Sequence, residues 1–202
     1  MPNVKKTKTV LKSLREALAR FERYLPTLEM KKQQIRLEVS HIETAIEEKE
    51  DERRRVWEGV SRWIRLFAED VDLRSLIRLE AVQKEMENIA GVSVSVFKKA
   101  IFVREPVDLF ETPPWVDDGL DAIESLLRLE AEEQALRESR DVLSEELRIT
   151  SQRVNLFEKV KIPECRESIH IIKIALGDEQ AAAVARAKMA KGRMVELESA
   201  TL

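Results

Sequence analysis

A nucleophile, a general base or a metal ligand would have to come from very few side chains. His41 and His170 are the only histidines and Cys165 the only cysteine, so a zinc site would need both imidazoles, the thiolate and a carboxylate to converge. Cys165 and His170 are spaced so that they do not meet on one helix face, and a thiolate nucleophile needs its base within hydrogen-bond reach. The five glycines, Gly59, Gly91, Gly119, Gly177 and Gly192, are too far apart to write GxxxxGK[ST] or GxGxxG, so no glycine-rich phosphate cradle is present. Carboxylates abound, but the chain is 36% charged with both signs interleaved. They read as solvated helix faces, without the burial that general acid–base work requires. The expectation is a protein that is not an enzyme, with no catalytic, cofactor-binding or metal-binding residues and no cofactor.

Binding chemistry is better represented. Lys5, Lys6, Lys8, Lys12 and Arg15 open the chain, and Arg186, Lys188, Lys191 and Arg193 close it. If the two ends meet, they form a basic tip suited to an acidic protein socket. No aromatic side chains interleave with these cations for base stacking, and the net charge is only −3, so nucleic acid is not the expected partner. Ala181, Ala182, Ala183, Ala185, Ala187 and Ala190 make the closing stretch slim enough for a narrow bore. No window approaches the roughly 20 apolar residues of a membrane span, which predicts no direct membrane insertion. Met1 to Lys6 lacks the apolar run of a signal peptide, and Cys165 has no intramolecular partner; both point to a cytoplasmic protein.

These residues need elements to carry them. From Leu11, steps alternating three and four reach Leu14, Leu18, Phe21, Leu25, Leu28, Lys32, Ile35, Val39, Ile42, Ile46, Lys49, Arg53, Val56, Val60, Trp63 and Phe67. Only Lys32, Lys49 and Arg53 are charged, and a 3.5-residue stripe of this length specifies a supercoiled helix with an equally long partner. The predicted helix spans 8–68, capped by Thr7 or Thr9 and kinked but not broken at Pro26. Trp57 and Trp63 read as packing residues. An insertion, 69–115, follows. Leu73, Leu76, Ile77, Leu79, Val82 and Met86 suggest a short amphipathic helix, and the alternation from Ile89 to Val103 a β-hairpin. An isolated hairpin is marginal in water, so its apolar side chains, Val92, Val94, Val96, Phe97, Ile101 and Val103, need a cover. A second long helix is predicted over 116–192, with Asp117 and Asp118 in its first turn. Its stripe runs Leu120, Ile123, Leu127, Leu136, Leu143, Leu147, Val154, Phe157, then slips in phase before Ile162, Ile169, Ile172 and Leu176, beside Pro163. Residues 193–202 read as a frayed tail. The fold class is therefore mainly α, a single elongated unit: a long antiparallel two-helix coiled coil with a short midchain helix and β-hairpin insertion.

Four segments carry a resemblance: Leu25-Pro26 with Leu28 and Lys31; Thr112-Pro113 with Trp115 and Asp117; Val154 to Pro163; and Leu176-Gly177-Asp178-Glu179 with Ala182, Arg186 and Lys188. In this order the chain resembles the D subunits of the V-type and A-type rotary ATPases, the central-stalk shaft. The resemblance implies a rotor component that transmits torque between ATP synthesis or hydrolysis in a catalytic hexamer and proton or sodium transport through a membrane ring. It implies that Lys5, Lys8, Lys12, Arg15, Arg186, Lys188, Lys191 and Arg193 form the tip in a cavity of catalytic and non-catalytic ATPase subunits. Val92, Val94, Val96, Phe97, Ile101 and Val103 would then face the small F subunit of the stalk and the membrane-ring adaptor, with the protein peripheral to the membrane through the complex. The residues taken alone also fit a free-standing coiled-coil scaffold or adaptor.

Overall fold

The structure, a computed structural model, describes residues 5–107 and 112–200, with side chains to Met194. Its elements in order are α1 (Lys8–Ser61), a 3-10 helix (Ile64–Ala68), α2 (Leu73–Leu76), β1 (Ile77–Ile89), β2 (Val92–Arg104), α3 (Trp115–Leu156), a π-helical turn (Phe157–Lys161) and α4 (Ile162–Ala200). By packing the chain divides into two units, residues 1–30 with 151–202 and residues 31–150.

Helix α1 begins where Thr7 satisfies the first free backbone donors: Val10 N–H donates to Thr7 Oγ1 at 3.3 Å and Leu11 N–H to the Thr7 carbonyl at 3.0 Å. It runs 54 residues through Pro26 without interruption. Every position of the first stripe, the three charged ones included, is buried or half-buried. The helix stops at Ser61 rather than near 68, and the chain tightens into the 3-10 turn. Aromatic packing accounts for this: Trp63 stacks on Phe67 with centroids 5.4 Å apart, and Phe67 meets Trp115 at 5.1 Å. Trp115 Nε1–H donates to Glu69 at 2.9 Å, which pins the turn after α1 to the start of α3.

Within residues 31–150, α1 and α3 run antiparallel, as the ion pairs between them show. Lys31 bonds Glu146 at 2.8 Å, Lys49 bonds Glu132 at 2.8 Å, and Arg53 bonds Glu130 at 2.6 Å, so partner numbers fall on α3 as they rise on α1. One core cluster gathers Ile35, Val39, Val94 and Leu143; another gathers Ile77, Val116 and Leu120. The hairpin thus finds its cover in its own chain. Ser139 Oγ–H donates to the Ser95 carbonyl at 2.8 Å, and Lys84 pairs with Glu138, fastening both strands to α3.

The short helix expected over 73–86 is instead one capped turn, with Arg74 N–H donating to Asp72 Oδ1 at 3.2 Å, followed by strand. The helical spacing of Leu79, Val82 and Met86 loses to the backbone donors and acceptors of β2, which need a partner strand and find it in 77–89. The hairpin is accordingly 77–104, longer than the 89–103 expected. It turns at Ala90 (φ 51) and Gly91 (φ 79) between the paired Ile89 and Val92, the two positive φ values of a type I′ turn. Gly91 N–H donates to Asn88 Oδ1 at 2.9 Å.

In the other unit, the first half of α1 packs against the π turn and the start of α4. Phe21 packs against Phe157 at 5.0 Å, and Arg166 bonds Glu22 at 2.8 Å. The phase slip read before Ile162 has a physical form. Steps of three and four from Val154 and Phe157 would continue to 161, 164 and 168; of these only Ser168 is buried, whereas the apolar face has moved on by one residue to the buried Ile162, Cys165, Ile169 and Ile172. The π turn absorbs the extra residue, with Ile162 N–H reaching back to the Phe157 carbonyl. Pro163, which has no N–H to donate, follows directly. Helix α4 continues to Ala200, past the tail expected to fray from 193; residues 201–202 lie outside the described part.

Candidate functional site

Unit 31–150 holds a dense charged cluster. Lys49 lies between Glu52 at 3.1 Å and Glu132 at 2.8 Å, and the hydrogen bond to Glu132 pushes its ammonium above the ordinary lysine value. Glu133 is 3% exposed. Its Oε1 forms an ion pair with Arg137 at 2.5 Å, while its Oε2, 3.3 Å from Arg53, has no hydrogen bond. Arg137 also reaches Glu50 at 2.7 Å. The three charges in the stripe are thus not equivalent defects: Lys49 and Arg53 reach across to α3, and they match it carboxylate for cation. This cluster fixes helices against one another, and three of its members, Glu50, Arg53 and Glu130, also line an open groove of about 580 Å³ with Arg54, Trp57, Leu126 and Leu127.

Cys165 is buried, and desolvation raises its thiol pKa, which disfavours the nucleophilic thiolate. His41 is exposed, 3.8 Å from Glu38 of its own helix. Among the described residues no group of three or more His, Cys, Asp or Glu could hold a metal, and no helix is long and apolar enough to cross a membrane.

The basic residues of the two ends are all exposed, but they do not gather at one level. Lys8, Lys12 and Arg15 line a groove of about 420 Å³ with Leu11 and, from α4, Lys173, Leu176, Gly177 and Gln180. Arg186, Lys188, Lys191 and Arg193 stand farther along α4, about 13 Å or more past Gly177 at 1.5 Å per residue. From Gly177 to Met194 every side chain is exposed, including Val184 at 67% and Met189 at 61%. Lys173 was not singled out by the sequence. Its signal was its place three residues before Leu176, the last member of the second stripe.

The hairpin residues expected to face a partner divide. Val94 is 1% exposed, and Val92 and Val96 pack beside it against Ile35, Val39 and Leu143. For Val94 the partner-contact expectation is therefore corrected: its own helices bury it, because the alternation of β2 turns that face inward. Phe97, Ile101 and Val103 are half-buried and belong to neither core cluster.

A family profile described as the D subunit of ATP synthase matches residues 10–192. The chain belongs to the family of ATP synthase D subunits. The V-type ATP synthase D subunit of Borreliella burgdorferi is 42% identical over 196 residues, 97% of this chain and 97% of that protein. Proteins of the same description from Chlamydia caviae and Chlamydia pneumoniae are 34% and 32% identical, covering 95% and 98% of this chain and 93% and 95% of theirs. The span shared with the family takes in both long helical stretches, the hairpin and most of the basic groove. Lys5, Lys8 and Arg193 fall outside it.

Proposed function

We propose that this chain is the central rotor shaft of a V-type ATP synthase. It transmits torque between ATP synthesis or hydrolysis in a ring of catalytic and non-catalytic subunits and ion transport through a membrane ring, and it does no chemistry itself. The observation that carries this reading, beside family membership, is the uncovered end of α4. A helix whose every side chain from Gly177 to Met194 is exposed, apolar Val184 and Met189 included, has its apolar surface satisfied only by a surrounding partner. Its alanine-rich composition keeps it narrow enough for a central bore. A shaft acts by showing different faces to equivalent catalytic sites and so biasing each toward a different affinity. The π turn and the one-sided covering of the hairpin make the faces of this chain unequal.

In this reading Lys5, Lys8, Lys12, Arg15, Arg186, Lys188, Lys191 and Arg193 belong to the part held by the ring. Phe97, Ile101 and Val103 are the hairpin residues left for the small F subunit of the stalk or the adaptor on the membrane ring. Attachment to the membrane would run through those partners.

The test is co-purification of the tagged chain from cells that express the whole ATPase operon. It is expected to bring down the large ATPase subunits and a small stalk protein in fixed proportion. A chain that self-associates and brings down none of them is a scaffold, and the rotor reading fails.

A further inference from the structure

In unit 31–150 the cations that reach between helices meet carboxylates: Lys31 with Glu146, Lys49 with Glu132, Arg53 with Glu130 and Glu133, Arg137 with Glu50. The groove between the start of α1 and α4 breaks that pattern. Four cations line it, Lys8, Lys12, Arg15 and Lys173, and no carboxylate does. Among the described residues the one carboxylate within ion-pair reach of these four cations is Glu16, 4.0 Å from Lys12, and both side chains of that pair are more than half exposed, a geometry that contributes little. Like charges on one helix face repel one another, so the arrangement costs stability in the isolated chain. Local rules broken in this way mark functional surfaces.

We propose that this groove binds an acidic peptide segment of the ATPase ring, one that carries two carboxylates about 10 Å apart with an apolar residue between them. The spacing follows from the lining. Lys8 and Arg15 lie on one face of α1 about 10 Å apart at 1.5 Å per residue, a distance that about three residues of extended peptide span. Leu11 and Leu176, both half-buried, lie between the cations and give the intervening side chain an apolar floor. A single phosphate is too small to engage cations at both ends of such a groove, which favours a peptide over a free anion. The proposal rests on the rotor reading above, which supplies the ring as the source of the segment.

The experiment uses the full chain and the purified ATPase ring. Replacing Lys12, Arg15 and Lys173 together by Gln is expected to weaken assembly about tenfold at low salt and to flatten its salt dependence. Lys12→Arg with Lys173→Arg should assemble like the wild type. All three positions are exposed, and circular dichroism checks that the helices persist. Zero-length carbodiimide coupling of the wild-type complex should join Lys8, Lys12 or Lys173 to aspartate or glutamate of one ring component. Wild-type affinity and salt slope in the triple variant, with couplings elsewhere, would overturn the proposal and leave the rotor reading standing. Competition by inorganic phosphate beyond that of potassium chloride at equal ionic strength would overturn it in favour of a small-anion site. Failure of the wild-type chain to assemble would overturn the reading on which it rests.

Discussion

Glu133 is the residue at which the packing of α1 against α3 is most exposed to a single change. It is a carboxylate with 3% of its surface in contact with solvent, held by Arg137 at 2.5 Å and facing Arg53 at 3.3 Å. Removing one member of a buried charged set leaves the others desolvated without their counter-charge. Both guanidinium groups are partly exposed, which screens the loss. Glu133→Gln is therefore expected to destabilise the chain by about 1–3 kcal/mol, read from the urea midpoint at constant slope. Replacing Arg53, Glu133 and Arg137 together by Leu removes the buried charges along with their desolvation, and should unfold at higher urea than Glu133→Gln. A single Gln variant as stable as the wild type would show that water already screens the cluster.

Among the elements, the π turn makes the sharpest claim. It reconciles two stretches of stripe that differ by one residue in phase, so removing one residue there restores regular spacing. Deleting Val160, whose side chain is 39% exposed, should leave Ile162, Cys165, Ile169 and Ile172 on the face that continues from Phe157 in an uninterrupted α-helix. Thermal unfolding should stay cooperative, with Tm no lower than the wild type. Deleting Gln152, in a regular α-helical stretch, turns everything after it by about 100° and should lower Tm sharply. Equal losses from the two deletions would count against the π turn as a phase corrector. The hairpin offers a contrast at the same scale. Its apolar alternation is plain in β2, but β1 carries a helical spacing, and pairing with β2 overrode it.

At the scale of the molecule, the uncovered stretch of α4 contributes to no core. Truncation after Gly177 should leave the Tm of the remainder unchanged, because no side chain from 177 to 194 is buried. Mean helicity by circular dichroism should fall in proportion to the residues removed. Assembly with the ATPase ring should be lost, since the stretch proposed to sit within it is gone. A truncated chain that unfolds at markedly lower temperature would mean that this stretch packs on the protein itself.

The long helices and the phase slip were legible in the sequence alone, because each is a matter of period along one chain: a 3.5-residue stripe and an offset of one residue. A scarcity of histidine, cysteine and glycine also made a metal, nucleophile or phosphate site unexpected, a reading that needs no coordinates. What only the tertiary structure decided depends on what lies across a contact. The stripe cannot say that Lys49 and Arg53 meet Glu132, Glu130 and Glu133, because helix period gives a facing direction and not a partner's identity. Leu79, Val82 and Met86 could not reveal a strand, because backbone pairing with β2 was stronger than their own spacing. The alternation of Val92, Val94 and Val96 showed that a face needed cover, but whether the chain or a partner provides it is settled by Ile35, Val39 and Leu143, residues distant in sequence. The basic ends likewise looked like one tip, until the lengths of α1 and α4 placed Lys173, and not Arg186 to Arg193, beside Lys8, Lys12 and Arg15.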